Sequence, residues 1–342
     1  MHQFSHHVNI LSLFPCSKLE MASDTTEGDS KFFVIRSQKT SKLKSFLAVF
    51  LWLSSIHLVG VLLLLMLFVL PPRWSLTLFA VLLGLMVIPL FEKSAFAESV
   101  ARFICKHGPG YFPLTMVMED KDALDPNQAF LFAVEPHSVL PIGILGLCNH
   151  TGFLPIQRLK AIASSAVFLT PFLRHVWSWL GLAPASRQIV VDTLSRNYSC
   201  VLIPGGVREM CYMEHDCEVV YLKQRLGFIR IAIELGAPLV PCFVFGQTHA
   251  YKWWKPKGMV YNQVCRALRF APLVFWGMFG SPIPFPRPLY LAIGKPLQLK
   301  KNPQPTLEEV LEVQALFITS LQELYERHKV DAGYKGVPLY VY

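Results

Sequence analysis

The sequence predicts a membrane-anchored α/β protein in which an N-terminal transmembrane hairpin is followed by a mostly parallel α/β domain. The 342-residue chain is 53% hydrophobic and only 16% charged, whereas an ordinary soluble domain is about a quarter charged. One long apolar run, 46–70, contains no charged residue. After residue 90, short apolar runs alternate with amphipathic stretches. Strands that alternate with helices favour a mostly parallel sheet with helices on both faces.

Residues 1–45 are polar and mixed in charge, which predicts a disordered cytosolic N-terminus. The segment lacks the series of charged, apolar and small residues that marks a cleaved signal peptide. Met21 is an alternative start of the chain.

Residues 46–90 predict a two-helix transmembrane or re-entrant hairpin. At about 1.5 Å per residue, the run 46–70 exceeds the roughly 30 Å hydrocarbon core of a bilayer. A turn at 71–74 follows, and the second apolar run, 75–90, is short for a full span, so its crossing stays open. Lysines flank the pair on both sides. The positive-inside rule therefore predicts a multi-pass protein with both termini in the cytosol.

Residues 91–342 predict one cytosol-facing domain. Its strands are expected at the short apolar runs 130–134, 161–164, 200–203 and 239–245. Its helices are expected at 171–180, at 225–235 with Gly236 as the stop, and from Thr306 to Arg327 with a capping box at Thr306 and Glu309.

The segment 251–288 differs in character from the rest of this domain. It begins with a mixture of aromatic rings and lysines and then becomes apolar and rich in proline. Because such a mixture suits the headgroup layer of a membrane, we expect an interfacial segment that gives a lipid access to the domain. The alternative is a buried hairpin of the core.

The net charge of +9 is not accompanied by a helix-turn-helix, zinc-finger or RNA-binding pattern, so we expect no nucleic-acid partner. An anionic membrane surface or a phosphate-bearing substrate fits the charge better. The eight cysteines show no paired spacing and are expected to be free thiols. Cys211, His215 and Cys217 lack a fourth zinc ligand nearby, so no metal is expected.

His137 follows a run that has the pattern of a buried strand. Pro136 cannot donate to a central ladder, so the strand is expected to end there. The unperturbed pKa of an imidazole lies nearest neutral pH, and a base at the end of a buried strand is a common way to build an active site in an α/β fold. The alternative is a structural histidine bonded to a backbone carbonyl.

Further segments follow in order: Gly181 with Arg187, Pro-Gly-Gly-Val-Arg-Glu at 204–209, Arg-Leu-Gly-Phe-Ile-Arg at 225–230, and Phe-Gly-Gln-Thr-His-Ala-Tyr-Lys-Trp-Trp at 245–254. Together with Glu-Pro-His-Ser at 135–138 they resemble the type 2 diacylglycerol O-acyltransferase family, plant-like branch, within the glycerolipid acyltransferase superfamily. The resemblance extends from the predicted hairpin nearly to the C-terminus. The chain departs from the superfamily in having no aspartate shortly after the histidine, and from the animal form, His-Pro-His-Gly, in Glu135 and Ser138.

The resemblance implies an acyltransferase domain that moves a fatty acyl group from acyl-CoA to the free hydroxyl of diacylglycerol and forms triacylglycerol. It implies acyl-CoA and diacylglycerol as binding partners, in contact with membrane lipid, and no cofactor, because acyl-CoA is a substrate. It also implies the endoplasmic reticulum membrane and the lipid droplet as locations. A homo-oligomer is left open.

On this hypothesis His137 is the general base that takes the proton of the acceptor hydroxyl. Glu135 is expected to fix its tautomer, because positions i and i+2 of an extended segment share a face. The backbone N–H groups of Gly205 and Gly206 are expected to stabilise the oxyanion. Ser138 is expected to help position the substrate.

Arg187 and Arg208 are expected to bind the phosphates of acyl-CoA, because a guanidinium fork suits phosphate oxygens. Lys223, Arg225 and Lys252 are weaker candidates for the same positive field.

Several alternatives stay open from the sequence. The acceptor could instead be monoacylglycerol or a wax alcohol, since acceptor choice depends on pocket shape. Ser138 could be a covalent nucleophile, although adjacent residues of a strand rarely face each other. A lipase is disfavoured because the chain has no Gly-x-Ser-x-Gly elbow. The non-enzymatic alternative is a hairpin protein that tethers or carries lipid at droplets.

Overall fold

The computed structural model describes residues 32–91, 94–156, 158–268 and 271–342. The predicted disorder of residues 1–31 lies outside the described residues.

The helices of the described chain are α1 Lys42–Phe68, α2 Pro72–Val87, α3 Ala95–Tyr111, α4 Ser165–Phe168, α5 Leu173–Trp179, α6 Arg187–Ser195, α7 Val207–Met210, α8 Gly227–Leu235, α9 Met259–Leu268 and α10 Leu307–His328. Its strands are β1 Phe33–Arg36, β2 Leu114–Met118, β3 Leu131–Glu135, β4 Leu159–Ala163, β5 Leu182–Pro184, β6 Ser199–Leu202, β7 Glu218–Val220, β8 Leu239–Phe245, β9 Lys252–Trp254, β10 Val274–Trp276, β11 Leu289–Ile293 and β12 Leu339–Val341. Short 3₁₀ helices span Ile142–Leu147, Asn149–Thr151, Gln247–His249 and Met278–Gly280.

The main sheet has eight strands in the order β1-β2-β11-β8-β3-β6-β4-β5. The run β8-β3-β6-β4-β5 is parallel throughout, and β11 pairs with β8 in the antiparallel sense. The predicted mixed α/β domain with a mostly parallel sheet is therefore confirmed. Strand β3 lies inside the sheet between β8 and β6, so all five of its residues are buried.

Side chains of β3 alternate between two hydrophobic cores, as the period of two in a strand requires. Phe132 and Val134 belong to the core that contains residues of α1, α3 and α5. Leu131 and Ala133 belong to the core that contains residues of α6, α8 and α10. Helices thus cover both faces of the sheet, and the carboxyl ends of the parallel strands are left for loops.

The four predicted strands are confirmed as β3, β4, β6 and β8, and the three predicted helices as α5, α8 and α10. Gly236 ends α8 in the left-handed conformation at φ 66°, which favours glycine. The capping box at Thr306 and Glu309 is present in both directions.

The prediction that 1–45 is disordered is wrong for the C-terminal part of that segment. Residues 33–36 form β1, which pairs with β2, and α1 begins at Lys42 rather than at Phe46. The apolar triplet Phe33-Val34-Ile35 supplies enough strand propensity to extend the sheet by one edge strand.

Helix α1 is long and apolar enough to cross a membrane. Its 27 residues correspond to about 40 Å. Its buried side chains lie in the first half, up to Ser55, while most side chains beyond Ile56 are exposed. Helix α2 has 16 residues, or about 24 Å, which is less than the roughly 30 Å of a hydrocarbon core. Among the described residues, α1 is thus the one helix that is long and apolar enough to cross a membrane, and a shorter apolar helix follows it.

The segment 251–288 forms β9, α9 and β10, with β9 and β10 paired as an antiparallel ribbon. Trp253 is buried, whereas Trp254, Val274 and Phe279 are exposed. The ring of Phe275 contacts the ring of His57 in α1 at a centroid distance of 5.2 Å. One side of this segment therefore packs on the protein and the other presents apolar side chains outward.

Candidate active site

The candidate site lies where β3, β6 and β8 end side by side. Because these strands are parallel neighbours, the loops that follow them, 136–138, 203–206 and 246–248, meet at one edge of the sheet. Ligands of open α/β sheets bind outside the carboxyl ends of the strands. The sheet therefore brings together two sequence segments that were singled out separately, 135–138 and 204–209.

His137 is half-buried, and two hydrogen bonds fix it. Its backbone N–H donates to Oε1 of Glu209, and its Nδ1 lies 2.9 Å from the carbonyl oxygen of Ser138. Because a carbonyl can only accept, Nδ1 carries the hydrogen, and Nε2 keeps its lone pair. Burial lowers the pKa of His137, although the hydrogen bond to Ser138 opposes this shift. The imidazole is therefore neutral at physiological pH, as a general base must be.

Glu135 does not hold the imidazole ring. Its Oε1 accepts the backbone N–H of Gly205 at 2.9 Å, and its Oε2 has no hydrogen-bond partner among the described residues. The expected contact fails because β3 ends at Glu135, so His137 lies outside the extended segment in which positions i and i+2 share a face. Burial, and then the charge of Glu209, raise the pKa of Glu135 well above its usual value.

Glu209 is the residue that sequence reasoning missed. It is fully buried, and it accepts the N–H of His137 at one oxygen and the N–H of Tyr221, at 3.2 Å, at the other. A Cβ at Gly205 would lie 2.1 Å from Oε2 of Glu209, so that position has room for glycine alone. Burial raises the pKa of Glu209, and its hydrogen bonds oppose the rise. The sequence does show that the motif 204–209 ends in an acidic residue. The motif alone does not reveal that the side chain of this residue is buried.

The glycine turn is held from a second side by Arg225. Its Nη2 donates to the carbonyl oxygen of Gly205 at 2.6 Å, and its guanidinium lies over the ring of Tyr221 at 5.3 Å. Its positive charge acts on both Glu135 and Glu209. Arg225 thus stabilises the buried carboxyl pair and the glycine turn. The sequence analysis expected its charge to attract the phosphates of the substrate instead.

The two expected oxyanion donors differ in their availability. The N–H of Gly205 is engaged by Glu135. The N–H of Gly206 has no hydrogen-bond partner within the described part of the chain. Gly206 has φ 56° and ψ −157°, a backbone conformation that is essentially restricted to glycine. Of the pair, Gly206 is the donor that remains available to a substrate.

Ser138 is buried and adopts φ 53°, the left-handed region that favours glycine. Its hydroxyl donates to the carbonyl oxygen of Gln247 at 3.4 Å, which is a long hydrogen bond. The hydroxyl is therefore engaged with Gln247, and the hydrogen bond of the His137 ring is to the carbonyl oxygen of Ser138.

Gln247 belongs to the segment 245–254, and it is a second buried residue whose role the sequence pattern does not reveal. Its Nε2 donates to the carbonyl oxygen of Pro136, and its Oε1 accepts the N–H of Gly143 at 3.2 Å. The loop that carries His137 is therefore tied to the end of β8.

Arg187 and Arg208 lie at the same edge of the sheet as His137, because each follows a parallel strand, β5 and β6 respectively. Both side chains are exposed, and Arg187 forms an ion pair with Glu234. Strand β5 is three positions from β3 in the sheet, which corresponds to about 14 Å. Both cations thus lie on the β6 side of β3, Arg208 next to the site and Arg187 farther along the edge, and neither has a recorded contact with His137.

Among the described residues there is no group of three or more His, Cys, Asp or Glu side chains that could hold a metal ion. The ring of His215 instead stacks on Trp253 at 4.0 Å. The seven cysteines in the described ranges are free thiols, and Cys16 lies outside those ranges.

Comparison with known proteins gives a consistent result. The family model described as Diacylglycerol acyltransferase matches residues 65–340. The human protein 2-acylglycerol O-acyltransferase 3 is 29% identical over 65% of this chain and 70% of its own length. Diacylglycerol O-acyltransferase 2 of Xenopus tropicalis is 29% identical over 65% of this chain and 66% of its own length. The human acyl-CoA wax alcohol acyltransferase 1 is 32% identical over 66% of this chain and 74% of its own length.

Among solved structures, the 1-acyl-sn-glycerophosphate acyltransferase of Thermotoga maritima matches with a TM-score of 0.41 and 15% identity, over 84% of this chain and 97% of its own.

Proposed function

The chain belongs to the diacylglycerol acyltransferase family, and we propose that it carries out the acyl-CoA:diacylglycerol reaction of that family with His137 as the general base. The observation that supports this role most strongly is the neutral imidazole at the end of the central strand. Its Nδ1 faces a carbonyl and its Nε2 keeps a lone pair. A free lone pair of this kind is what a base toward an alcohol requires.

The reaction moves the acyl group from sulfur to oxygen and cycles one proton through His137. Nε2 of His137 takes the proton of the acceptor hydroxyl while the hydroxyl oxygen forms a bond to the thioester carbonyl carbon. The tetrahedral intermediate then loses coenzyme A by cleavage of the carbon–sulfur bond, and the imidazolium returns the proton to the sulfur. The products are the ester and free coenzyme A, and no cofactor takes part because acyl-CoA is itself a substrate.

The carbonyl oxygen of the thioester gains negative charge in this step and needs donors. The N–H of Gly206 is the donor that the glycine turn leaves available. An oxyanion donor of this type contributes a factor of roughly 10²–10³ to the rate. Glu135 and Arg225 support the donor indirectly, since they hold the neighbouring Gly205 at its N–H and at its carbonyl oxygen.

Arg208 and Arg187 are proposed to bind the phosphates of coenzyme A. Arg208 is the better placed of the two, because it follows β6, the immediate neighbour of β3, and is exposed. Arg187 lies farther along the same edge and already pairs with Glu234. A phosphate would therefore have to compete with that carboxylate at Arg187.

The membrane arrangement is proposed to be a helical excursion with both ends on the cytosolic side. The first half of α1 packs on the domain, and α1 contacts α3. At the far end of α2, Arg174 donates to the carbonyl oxygen of Met86 and Trp179 Nε1 donates to that of Leu90 at 2.8 Å. Because one domain holds both ends, the chain has to return to the side from which it left. This supports a multi-pass or re-entrant protein of the endoplasmic reticulum membrane, with access to lipid droplets.

The segment 251–288 is proposed to lie in the membrane interface. Phe275 contacts His57 at the point where α1 passes from buried to exposed side chains. Phe279 is 96% exposed, and an exposed ring in a segment that contacts α1 through Phe275 is most stable in lipid. A diacylglycerol could then reach the site without leaving the bilayer.

The acceptor is tested directly by reconstituting the purified protein in liposomes with labelled acyl-CoA and one acceptor at a time: diacylglycerol, monoacylglycerol or a fatty alcohol. We expect triacylglycerol to be the dominant product. If diacylglycerol is the dominant product, the acceptor is monoacylglycerol, and if wax ester is the dominant product, the acceptor is a fatty alcohol. These are the acceptor classes in the names of two of the relatives, and the chemistry at His137 would be the same. No ester with any of the three acceptors would favour a lipid-tethering or lipid-carrier protein.

A further inference from the structure

Three tyrosine rings stack on one another beside the glycine turn, although they come from distant parts of the chain. The ring of Tyr342 stacks on the ring of Tyr212 at a centroid distance of 4.9 Å, and Tyr212 stacks on Tyr221 at 5.3 Å. The angles between the ring planes are 27° and 17°. Rings at this separation attract each other beyond the effect of the area that they bury. The three rings, Tyr342, Tyr212 and Tyr221, are called the tyrosine stack below.

The tyrosine stack ends at Arg225. The guanidinium carbon of Arg225 lies over the ring of Tyr221 at 5.3 Å, and its Nη2 donates to the carbonyl oxygen of Gly205 at 2.6 Å. An arginine side chain has many rotamers, and the attraction between the cation and an aromatic face favours those that place it over the ring. The stack therefore helps to hold the guanidinium in the position from which it binds the glycine turn.

The backbone of Tyr342 is anchored independently of its ring. Strand β12 pairs with β7 in the parallel sense. The N–H of Tyr342 donates to the carbonyl oxygen of Val220 at 2.9 Å, and its carbonyl oxygen accepts the N–H groups of Leu222 and Lys223 at 2.7 and 2.8 Å. Because these bonds involve the backbone alone, a substitution at residue 342 removes the ring and keeps the anchor.

Strand β7 connects this ribbon to two of the three loops of the site. Glu218, in β7, accepts a hydrogen bond from the hydroxyl of Thr248 at 2.5 Å, in the loop after β8. Tyr221, directly after β7, donates its N–H to Glu209, in the segment after β6. The ribbon of β7 and β12 thus supports the site from outside the main sheet.

Resting on the proposed function, we propose that Tyr342 is a positioning residue of the active site. Through the tyrosine stack it holds Arg225, and Arg225 fixes the turn that presents the N–H of Gly206 to the oxyanion. Tyr342 itself takes no part in the proton transfer.

The test changes the ring of Tyr342 and compares it with a neighbouring tyrosine. Tyr342→Ala removes the ring, and Tyr342→Phe keeps it. Tyr340→Ala is the matched control, because Tyr340 lies two residues earlier and is 51% exposed, against 44% for Tyr342. The ring of Tyr340 contacts no other ring among the described residues. Each purified protein is reconstituted in liposomes with diacylglycerol, and kcat and the KM for acyl-CoA are measured, with a thermal melt to show that it is folded.

We expect kcat of Tyr342→Ala to fall about fivefold, within the roughly two- to tenfold that one aromatic contact is worth. The KM for acyl-CoA should stay at the parental value, because the charge on the oxyanion develops only in the transition state. Tyr342→Phe should keep the parental kcat, and Tyr340→Ala should stay within about twofold of it, as for an ordinary surface substitution. If Tyr342→Ala does not fold, Tyr342→Leu, which keeps apolar bulk without a ring, should show the same loss.

A double-mutant cycle tests whether the ring acts through Arg225. Arg225→Lys keeps a positive charge beside the buried carboxyl pair but loses the planar fork that lies over the ring and binds the carbonyl oxygen. In that background Tyr342→Ala should lower kcat no further, because effects that pass through one contact are not additive. If Arg225→Lys is too slow to measure, Tyr221→Leu takes its place, since it breaks the stack in the middle.

The proposal is overturned if the folded variants without the ring at residue 342 keep the parental kcat, or if Tyr340→Ala loses as much. It is also overturned if Tyr342→Ala lowers kcat equally with and without Arg225. The parental protein tests the proposed function separately. An active parent with an equally active Tyr342→Ala refutes the positioning role alone, whereas a parent without acyltransferase activity refutes the proposed function and this role with it.

Discussion

The carboxylate of Glu209 accepts the backbone N–H of His137, and through its other oxygen it accepts the N–H of Tyr221. It also fills the space that a side chain at residue 205 would need. One buried acid thus joins the histidine loop to the glycine turn. The ring of His137 is oriented separately, by the carbonyl oxygen of Ser138.

Glu209→Gln should lower kcat about tenfold and leave KM nearly unchanged. Glutamine keeps one acceptor oxygen but places an NH₂ group opposite a backbone N–H, so one hydrogen bond worth roughly 1 kcal/mol is lost in the loop that carries the base. Glu209→Ala should cost about a hundredfold, because small misplacements of a base are expensive. Steady-state kinetics on both variants measures the two effects. A lowered kcat in Glu209→Gln, which keeps the volume of the side chain, distinguishes positioning by hydrogen bonds from simple loss of volume.

Glu214→Gln is the control for this pair. Glu214 is in the same region of the chain, but its side chain is 45% exposed and pairs with Lys257. Its substitution should leave kcat within about twofold of the parent, as for an ordinary surface ion pair. If Glu209→Gln is as active as Glu214→Gln, Glu209 has no positioning role.

Ser138→Gly should raise thermal stability and keep the activity. Ser138 occupies φ 53°, and the left-handed conformation costs an L-residue roughly 1 kcal/mol or more that glycine does not pay. Its hydroxyl donates one long hydrogen bond to Gln247 at 3.4 Å, so little is lost. Thermal melts and initial rates of Ser138→Gly and Ser138→Ala check this. A rate for Ser138→Gly near background would instead indicate a covalent nucleophile at this position.

Arg208→Ala should raise the KM for acyl-CoA several-fold with little change in kcat, and Arg187→Ala should have the smaller effect because Glu234 already engages that guanidinium. The effect of Arg208→Ala should diminish as salt is added, since exposed charges are screened. Arg196→Ala is the control: it removes the same charge from the opposite end of α6, away from the carboxyl ends of the strands. Equal KM values in all three variants would remove the phosphate-binding role.

Glu218→Gln should flatten the dependence of stability on pH. Burial raises the pKa of Glu218 from 4.5 to about 8, against the opposing hydrogen bond from Thr248. A carboxyl whose pKa is raised by folding contributes stability that is complete below the unfolded pKa and is lost as the pH rises through the folded one. The parent should therefore lose roughly a few kcal/mol between about pH 5 and pH 9. The neutral glutamine should keep that stability in melts across this range. An equal loss of stability with rising pH in both proteins would mean that a group other than Glu218 titrates in this range.

The strands and capped helices could be predicted because their signals are local. Short apolar runs bounded by proline and glycine gave β3, β6 and β8, and the motif at Thr306 gave the start of α10. The meeting of His137 with the glycine turn also follows from the sequence, since parallel strands end at the same edge of a sheet. The helix α3 was not predicted, because Gly108, Pro109 and Gly110 near its end have the composition of a turn.

The roles of the acidic residues could not be predicted in the same way. Glu135 and Glu209 are ordinary charged residues in the sequence, and only the packed structure shows that both are fully buried. Which donor each carboxyl receives depends on contacts between segments about 70 residues apart, such as the bond of Gly205 N–H to Glu135. Local pattern carries no information on contacts of that range.

The measurement that tests the central claim most directly is the pH dependence of kcat/KM for triacylglycerol formation, in the parent and in His137→Ala. Because burial holds the pKa of His137 below 6.5, the parental rate should be level through neutral pH and should fall only on acidification, with a midpoint below that value. His137→Ala, shown to be folded by its melt, should lose at least about a hundredfold in rate and the acidic midpoint with it. A folded His137→Ala protein that keeps the parental rate and the same midpoint would contradict the assignment of His137 as the base.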